Sequence, residues 1–309
     1  MLVKISICIP AYKRTAYLKR LLDSIAIQTF KDFEVIVSDD SPDNSVQVVC
    51  DQYQSKFKFL YYKNEVALGT PANWNLGISK ATGEWIKLMH DDDWFANENA
   101  LAFFAKNTFK SKFIFSAYTN HYESGTTKEV YLSSFWSKKI VKEPAVLIAE
   151  NVIGPPSVTL IHSSIKEQYD ERLPWRVDIE FYNRVLKETG NYYYISQPLI
   201  NVGISESQVT QSCIYKPEVE LPEGYILLQK HGVKPLRNIL VYDAWWRLLR
   251  NMNITSKKQL EQYGNQSWPT VIIKMANDLA KVPRALLGIG AFSKMLMAVS
   301  YLKNKKFIS

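Results

Sequence analysis

Residues 85–94 read Trp85-Ile86-Lys87-Leu88-Met89-His90-Asp91-Asp92-Asp93-Trp94, an apolar segment followed directly by three carboxylates. The segment predicts a buried strand of an open α/β sheet, which presents the residues after it at the carboxyl edge where such sheets bind ligands. Adjacent Asp residues repel one another unless a cation lies among them. Because Mg²⁺ and Mn²⁺ prefer carboxylate oxygens and share them with phosphates, the segment predicts a metal and diphosphate site. The alternative is an acidic turn before a helix capped by Asn97.

Three strand–helix repeats precede this segment. Continuous apolar runs predict strands at 3–9, 33–38, 57–62 and 84–89, and apolar residues at helical spacing lie between them. Strands and helices that alternate at short intervals predict an α/β fold with a mostly parallel, doubly wound sheet and right-handed crossovers. Further strands are expected beyond residue 110, and a helix over 177–188.

The C-terminal third differs from the rest of the chain in both pattern and charge. The chain has 309 residues, is 47% hydrophobic and carries a net charge of +8. From residue 216 onward the pattern is almost entirely helical, and residues 270–309 contain seven Lys or Arg and one Asp. We therefore expect two domains, an α/β domain over 1–215 and a basic helical extension over 216–309.

Composition also restricts the location and the partners of the protein. The three cysteines are scattered without metal-ligand spacing, which favours a reducing compartment. The N-terminus enters a strand pattern at once, and no run of 18 uncharged apolar residues occurs, so we expect a cytoplasmic protein without a transmembrane helix. Residues 1–215 are close to neutral, which argues against a nucleic-acid partner.

Two further strand ends carry polar groups suited to a nucleotide. The first strand ends in Pro10-Ala11-Tyr12-Lys13-Arg14, where an aromatic ring and two cations suit a base and its phosphates. The second ends in Asp39-Asp40, where a carboxylate can accept hydrogen bonds from a base or ribose. The alternatives are a turn with solvated charges and a helix cap. Neither a G-x-G-x-x-G nor a P-loop motif is present.

Four segments taken together resemble glycosyltransferase family 2. They are 6–12 (SICIPAY), 28–41 (QTFKDFEVIVSDDS), 75–85 (NLGISKATGEW) and 90–93 (HDDD). The resemblance is dense over residues 3–95 and thinner to about residue 210. It implies a GT-A fold, a nucleotide-sugar donor that is usually a UDP-sugar, a divalent metal (Mn²⁺ or Mg²⁺), and inversion at the anomeric carbon.

The resemblance also implies roles for individual residues on the donor side. Asp40 and Asp39 would hold the base, and Asp91 would approach the ribose. The acidic D-x-D element of the family matches His90-Asp91-Asp92, with His90 where Asp is commoner, so Asp92 would ligate the metal and Asp93 is a second candidate ligand. The remaining residues expected to line the nucleotide pocket are Pro10, Ala11, Tyr12 and Arg14.

On the acceptor side, the segment Arg176-Val177-Asp178-Ile179-Glu180 resembles the region of the family's general base, with Asp178 in the base position. An inverting transfer needs a carboxylate to take the acceptor's proton. The alternative is that Asp178 caps the helix, and Glu180 is then the second candidate for the base. His162 follows an apolar strand and is a further acceptor-side candidate.

These observations predict an inverting, metal-dependent glycosyltransferase that acts on a glycan or lipid-linked saccharide. Processive members of the family carry Q-x-x-R-W after the base, and its absence here favours a single addition. The alternatives are a non-catalytic nucleotide-sugar-binding module and a sugar nucleotidyltransferase.

The basic tail, residues 270–309, has two interpretations. Its cations alternate with apolar residues, a pattern of helices that lie in an anionic membrane interface, here the inner face of a bacterial plasma membrane. Alternatively, the tail packs its apolar face on the rest of the protein.

Overall fold

A computed structural model describes residues 3–205, 213–263 and 267–308. The chain forms two compact units. The first, which we call the sheet unit, comprises residues 1–141 and 152–207. The second, the helical unit, comprises residues 142–151 and 208–309. The short segment 142–151 therefore groups with the C-terminal residues, whereas the boundary near residue 215 stays a prediction.

The first half of the sheet unit is a parallel βα arrangement. The buried apolar runs of β1 and β2 form the centre, because strands covered on both faces need apolar side chains on both. The spatial order is β3-β2-β1-β4, and all three pairings are parallel. These elements are β1 (Ile5–Ala11), α1 (Thr15–Ala26), β2 (Phe33–Asp39), α2 (Ser45–Asp51), β3 (Lys58–Lys63), α3 (Ala72–Ser79) and β4 (Trp85–Leu88).

The second half of the sheet unit extends the same sheet with mixed strand directions. Beyond β4 the order continues β8-β6-β9-β5, with β7 paired to β6. The β4–β8 and β8–β6 pairs are antiparallel, and β6–β9 is parallel. The α-helices and strands are β5 (Trp94–Phe95), α4 (Ala100–Lys106), β6 (Phe113–Tyr122), β7 (Thr127–Val130), α5 (Ser134–Lys142), β8 (Thr159–His162), α6 (Val177–Thr189) and β9 (Tyr193–Ile204). A 3₁₀ turn, Pro156–Val158, precedes β8.

The helical unit is built from the predicted C-terminal helices. Its centre is the inner face of α8, where Tyr242, Trp245 and Trp246 are buried. Its α-helices are α7 (Pro217–His231), α8 (Ile239–Asn251), α9 (Lys257–Gln262), α10 (Thr270–Leu279), α11 (Arg284–Leu287) and α12 (Gly290–Asn304). Its 3₁₀ turns are Pro144–Ile148, Lys234–Arg237 and Lys305–Phe307. Within the described ranges, no helix combines the length and hydropathy needed to cross a bilayer.

Candidate active site

The carboxyl ends of β1, β2 and β4 meet at one edge of the sheet. Ala11 of β1 pairs with Asp39 of β2, and Cys8 of β1 pairs with Leu88 of β4. The loops that follow these strands therefore begin side by side, at the edge where open α/β sheets bind their ligands. This edge holds the predicted nucleotide residues and the Asp triplet.

Asp39 is fully buried, and both of its carboxylate oxygens are engaged by the protein. Its Oδ1 accepts a hydrogen bond from the Ser41 amide at 2.8 Å. Its Oδ2 accepts from the Tyr61 hydroxyl at 2.7 Å and from the Lys63 ammonium at 3.0 Å. This bonding gives Asp39 a role in fixing the strand end.

Asp40 is also buried, but each of its oxygens accepts one hydrogen bond from the described residues, so it retains lone pairs for a ligand. Oδ1 accepts from the Asn64 side-chain amide at 2.6 Å, and Oδ2 accepts from the Gly69 backbone N–H at 2.8 Å. The Asp40 backbone N–H donates to the Ala11 carbonyl at 2.9 Å. Of the two carboxylates, Asp40 is therefore better suited to hold a base.

The turn after β1 presents an aromatic ring at this edge. Pro10 and Ala11 end the strand, and Tyr12 is 49% exposed. Lys13 adopts a positive φ of 63°, uncommon outside glycine, and its N–H donates to Ser41 Oγ at 2.8 Å. This bond joins the β1 turn to the β2 turn, and the Lys13 ammonium lies over the Tyr12 ring, 4.8 Å from its centre.

Arg14 links the β1 turn to the Asp triplet. Its guanidinium forms an ion pair with both oxygens of Asp91 and with Asp92 Oδ2, the latter at 3.0 Å. Asp91, Asp92 and Asp93 are each at most 8% exposed, so their mutual repulsion is poorly screened by water. The predicted phosphate-binding cation thus balances the acidic cluster.

His90, Asp92 and Asp93 form a group that could hold a metal ion. One potential ligand atom from each residue lies within 4.8 Å of those of the other two. His90 Nε2 is buried and has no hydrogen-bond partner among the described residues, which is unusual for a polar atom. One imidazole nitrogen beside two carboxylates is a donor set that fits a divalent metal.

Burial sets the protonation of this cluster. It raises the pKa of Asp91 to about 7, against the opposing charge of Arg14. Burial and the charge of Asp92 raise the pKa of Asp93 well above its usual range. Burial also lowers the pKa of His90 to about 4, which keeps the imidazole in the neutral form that ligates metals.

Ser157, on the turn before β8, forms hydrogen bonds with the residues of the triplet segment. Its Oγ accepts a hydrogen bond from the His90 backbone N–H at 2.9 Å and bonds to the Asp93 side chain. Its carbonyl accepts from Lys87, which is fully buried and also donates to the Thr159 carbonyl at 3.1 Å. Burial lowers the pKa of the Lys87 ammonium well below its usual range.

Gly203 of β9 also contacts the triplet. The Gly203 backbone N–H donates to Asp93 Oδ1 at 3.1 Å. A Cβ atom at Gly203 would lie 2.5 Å from the Asp92 carbonyl oxygen, so only glycine allows this approach without a shift. Arg20 donates to the same carbonyl at 2.6 Å and lies 3.6 Å from the centre of the Trp94 ring.

Asp178 lies in the first turn of α6, but it is not the helix cap. The helix begins at Val177, the N-cap position is Arg176, and no side chain caps it. Asp178 Oδ1 accepts from the Ile179 N–H at 2.7 Å. Burial raises the pKa of Tyr118 to about 12, and the charges of Asp178 and Asp93 add to the shift. The negative charges of the predicted base and of the triplet therefore both act on the Tyr118 phenol.

The other two acceptor-side candidates are placed differently. Glu180 is fully buried, and its carboxylate forms an ion pair with Arg184 at 2.7 Å, which favours a structural role. His162 pairs with Trp85, at the amino end of β4, and its ring packs edge-on against that indole at 5.0 Å. The triplet follows the carboxyl end of β4, so the structure does not bring His162 to this edge.

Three residues of the site were not predicted as functional from sequence. In the sequence pattern, His90 is only a departure from the acidic motif, although imidazole is itself a metal ligand. Ser157 and Gly203 are separated from their partners His90 and Asp93 by 67 and 110 residues. Local patterns carry no signal for contacts over such distances.

Residues 6–155 match the profile of the family described as glycosyl transferase family 2. The chain is similar to glycosyl transferase family 2 over these residues, just under half of its length. The matched residues contain the Asp39–Asp40 pair and the Asp triplet, but neither Ser157 nor α6.

Two curated relatives of this chain are glycosyltransferases by name. GalNAc(5)-diNAcBac-PP-undecaprenol beta-1,3-glucosyltransferase of Campylobacter jejuni is 36% identical over 92 residues, 29% of this chain and 30% of that protein. Abequosyltransferase RfbV of Salmonella typhimurium is 33% identical over 99 residues, 31% of this chain and 30% of that protein. The aligned part thus spans about a third of either relative.

Solved structures share the fold of this chain over nearly its whole length. TarS 1–349 of S. aureus in complex with UDP-GlcNAc has a TM-score of 0.62 at 15% identity, covering 98% of this chain and 92% of that one. The mannosyltransferase PcManGT of Pyrobaculum calidifontis, in complex with GDP-Man and Mn²⁺, has a TM-score of 0.57 at 13% identity, covering 98% and 87%. The predicted GT-A fold with a helical C-terminal region is confirmed.

Proposed function

We propose that this protein is an inverting, metal-dependent glycosyltransferase that moves one sugar from a nucleotide-sugar donor, a UDP-sugar, to a glycan or lipid-linked glycan. The observation that carries the proposal is the meeting of Asp40, Arg14 and the His90–Asp92–Asp93 group at one sheet edge. This arrangement combines an acceptor for a base, a cation for a diphosphate and ligands for a divalent metal.

The metal has a defined place in this proposal. His90, Asp92 and Asp93 would hold it, and when bound it supplies positive charge that stabilises a departing diphosphate. A nitrogen ligand beside two carboxylates favours Mn²⁺ over Mg²⁺, because Mg²⁺ is bound mainly through oxygen. Asp91 remains in the proposal as the residue that approaches the ribose.

The transfer itself would be an in-line displacement. The oxygen of an acceptor hydroxyl attacks the anomeric carbon from the face opposite the diphosphate, and the new C–O bond forms as the bond to the diphosphate oxygen breaks. The hydroxyl proton passes to the Asp178 carboxylate. Arg14 would turn from the carboxylates toward the diphosphate, since a guanidinium pairs with either anion.

The comparisons support the donor and acceptor classes. The S. aureus and P. calidifontis structures hold nucleotide sugars, and the latter also holds Mn²⁺. The name of the C. jejuni relative contains a saccharide linked through PP to undecaprenol. A lipid-linked glycan is therefore the acceptor class that we propose for this chain.

A thermal-shift panel of UDP-, GDP- and dTDP-sugars, with and without Mn²⁺, tests the donor side. The true donor at 100 times its Kd adds about 2.7 kcal/mol to the free energy of unfolding. We expect a UDP-sugar with Mn²⁺ to raise the unfolding temperature, and the same sugar in EDTA to raise it much less. Equal shifts with and without the metal would refute the metal assignment.

Adding nucleoside triphosphates and sugar phosphates to the panel, and measuring UDP release after acceptor glycans are added, separates the two alternative functions. A non-catalytic binding module would be stabilised by the nucleotide sugar but would release no nucleoside diphosphate when acceptor glycans are added. A sugar nucleotidyltransferase would instead be stabilised by a nucleoside triphosphate together with a sugar phosphate. Release of UDP that depends on added glycan would exclude both.

A further inference from the structure

The last long helix, α12, buries mainly polar side chains and exposes apolar ones, the opposite of an ordinary surface helix. A surface helix normally buries an apolar stripe and exposes polar residues. The residues that α12 buries are instead Ser293, Met297, Ser300 and Asn304, three of them polar. The inner face of this helix is therefore held largely by hydrogen bonds.

Those hydrogen bonds are well formed inside the helical unit. Ser300 Oγ donates to Asp278 Oδ2 at 2.9 Å and lies 2.8 Å from the Tyr242 hydroxyl. The Asn304 amide donates to the same Asp278 oxygen at 2.7 Å, and the Trp246 indole donates to Ser293 Oγ at 3.1 Å. This network fixes which face of α12 points inward, so the opposite face must point outward.

The outward face of α12 is apolar. Met295, Val299 and Leu302 recur at helical spacing and are 53%, 58% and 62% exposed. Just before the helix, Leu286 and Ile289 are 39% and 55% exposed. We call these five side chains the apolar face. Single exposed apolar residues are common, but a group of them on one helix and its approach marks an interaction site.

Cations surround the apolar face. Lys294 and Lys303 border it on α12. Arg284, at the start of α11, and Lys305 and Lys306, on the 3₁₀ turn after α12, are also exposed. Lys303 pairs with Asp278, while residues 279–309 contain no Asp or Glu at all. The charge that residues 279–309 themselves contribute is therefore entirely positive.

We propose that the apolar face docks on a membrane surface that carries anionic headgroups. Helices that lie in a membrane interface combine an apolar face with flanking Lys or Arg, and anionic lipids attract the cations while the apolar side chains enter the headgroup boundary. A second copy of this chain is a poorer partner, because two such faces would bring two sets of cations together. The packing of α12 and its membrane contact are thus compatible, since they use opposite faces.

Flotation of the full-length protein with vesicles tests this proposal. Wild-type protein should bind vesicles of phosphatidylglycerol and phosphatidylcholine, bind pure phosphatidylcholine weakly, and be released as salt rises. The triple variant Met295→Gln, Val299→Gln, Leu302→Gln should bind at least about tenfold more weakly. Its control is Ile27→Gln, Val48→Gln, Phe109→Gln, which removes three apolar side chains exposed elsewhere by 60%, 60% and 76%.

Two further measurements complete the test. Replacing Lys294, Lys305 and Lys306 with Gln should weaken binding to the anionic vesicles and remove most of its dependence on salt. Circular dichroism should show every variant folded, because all six altered α12 and tail positions are exposed.

Three results would overturn the proposal. They are failure of wild-type protein to bind anionic vesicles, equal loss of binding in the control variant, and a wild-type dimer that the apolar-face variant converts to a monomer. The last would assign the face to self-association. None of these measurements requires sugar transfer, so their failure is distinct from failure of the proposed function.

Discussion

At the scale of single residues, Asp178 carries the catalytic part of the proposal. Asp178→Asn keeps the shape of the side chain but cannot accept the acceptor's proton. We expect turnover to fall roughly 10²–10⁴-fold, the usual contribution of a general base. Donor affinity, measured by calorimetry, should stay near the wild-type value because other residues hold the nucleotide and the metal.

Glu188→Gln is the matched control for this substitution. It removes a carboxylate near the other end of α6, at an exposed position. It should leave turnover unchanged. A fully active Asp178→Asn enzyme would remove Asp178 from the mechanism. Glu180→Gln is less informative, because Glu180 is buried against Arg184 and its loss should act mainly on stability.

Arg14 offers a second test at this scale. In Arg14→Gln, the buried Asp91 and Asp92 carboxylates lose their cationic partner. We expect the free energy of unfolding to fall by about 1–3 kcal/mol, the cost of leaving buried polar groups unsatisfied. Mn²⁺ should then raise the unfolding temperature more in the variant than in the wild type, because the ion replaces the missing charge.

Arg172→Gln is the control for Arg14. Arg172 pairs with Asp170 at 2.7 Å, but its side chain is 60% exposed, and such surface pairs contribute about 0–1 kcal/mol. Its Mn²⁺-dependent shift should equal that of the wild type. An Arg14→Gln protein with the wild-type response to Mn²⁺ would show that the guanidinium and the ion do not share the carboxylates.

At the scale of elements, the fit of β9 against the triplet depends on Gly203. In Gly203→Ala, the new methyl would meet the Asp92 carbonyl oxygen at 2.5 Å, so the triplet must shift. We expect a loss of about 1–3 kcal/mol of stability, typical of overpacking, and weaker Mn²⁺ binding by calorimetry. In the control Gly77→Ala, the nearest atom is Ser38 Cβ at an ordinary 3.6 Å. Equal metal affinity in both variants would contradict this account.

The contact between α10 and α12 predicts a pH dependence. Burial opposes ionisation of Asp278, but hydrogen bonds from Lys303, Asn304 and Ser300 outweigh it and lower the pKa of Asp278 below 3.8. A lowered native pKa stabilises the fold above the unfolded value, and this stability is lost as pH falls through the native pKa. Asp278→Asn should therefore flatten the decline in urea midpoint below pH 4.

The control for Asp278 is Asp243→Asn, whose ion pair with Arg247 at 3.0 Å joins two residues of α8 itself. That variant should retain the wild-type decline in urea midpoint. If Asp278→Asn and the wild type lose stability in parallel as the pH falls, the hydrogen bonds to Asp278 do not stabilise its charged form.

At the scale of the whole molecule, the sequence predicts those features that depend on a single segment of the chain. The apolar run before the Asp triplet placed Asp91, Asp92 and Asp93 correctly after a buried strand. The direction of β8 could not be predicted, because a fully buried strand has the same apolar pattern in either direction. Its antiparallel pairing places His162 opposite Trp85, away from the carboxyl edge.

Burial was a second property that a linear reading could not supply. From sequence, Glu180 is a candidate base. Arg184 lies four residues later, at the spacing of an ion pair on a helix, and the structure shows that the two residues form this pair. For the tail, helical periodicity could not show which face of α12 points inward. That was decided by Tyr242 and Asp278, which lie elsewhere in the chain.

The contacts of Ser157 and Gly203 with the triplet have a consequence for biosynthesis. A ribosome that translates this message has made His90 and Asp93 long before it makes Ser157, and it reaches Gly203 only after another 46 residues. When residues up to 155 have left the ribosome exit tunnel, the acidic cluster is exposed but Ser157 and Gly203 are not yet available to bond to it. Competence to bind a nucleotide sugar should therefore arise late in translation, when β9 has emerged and joined the sheet.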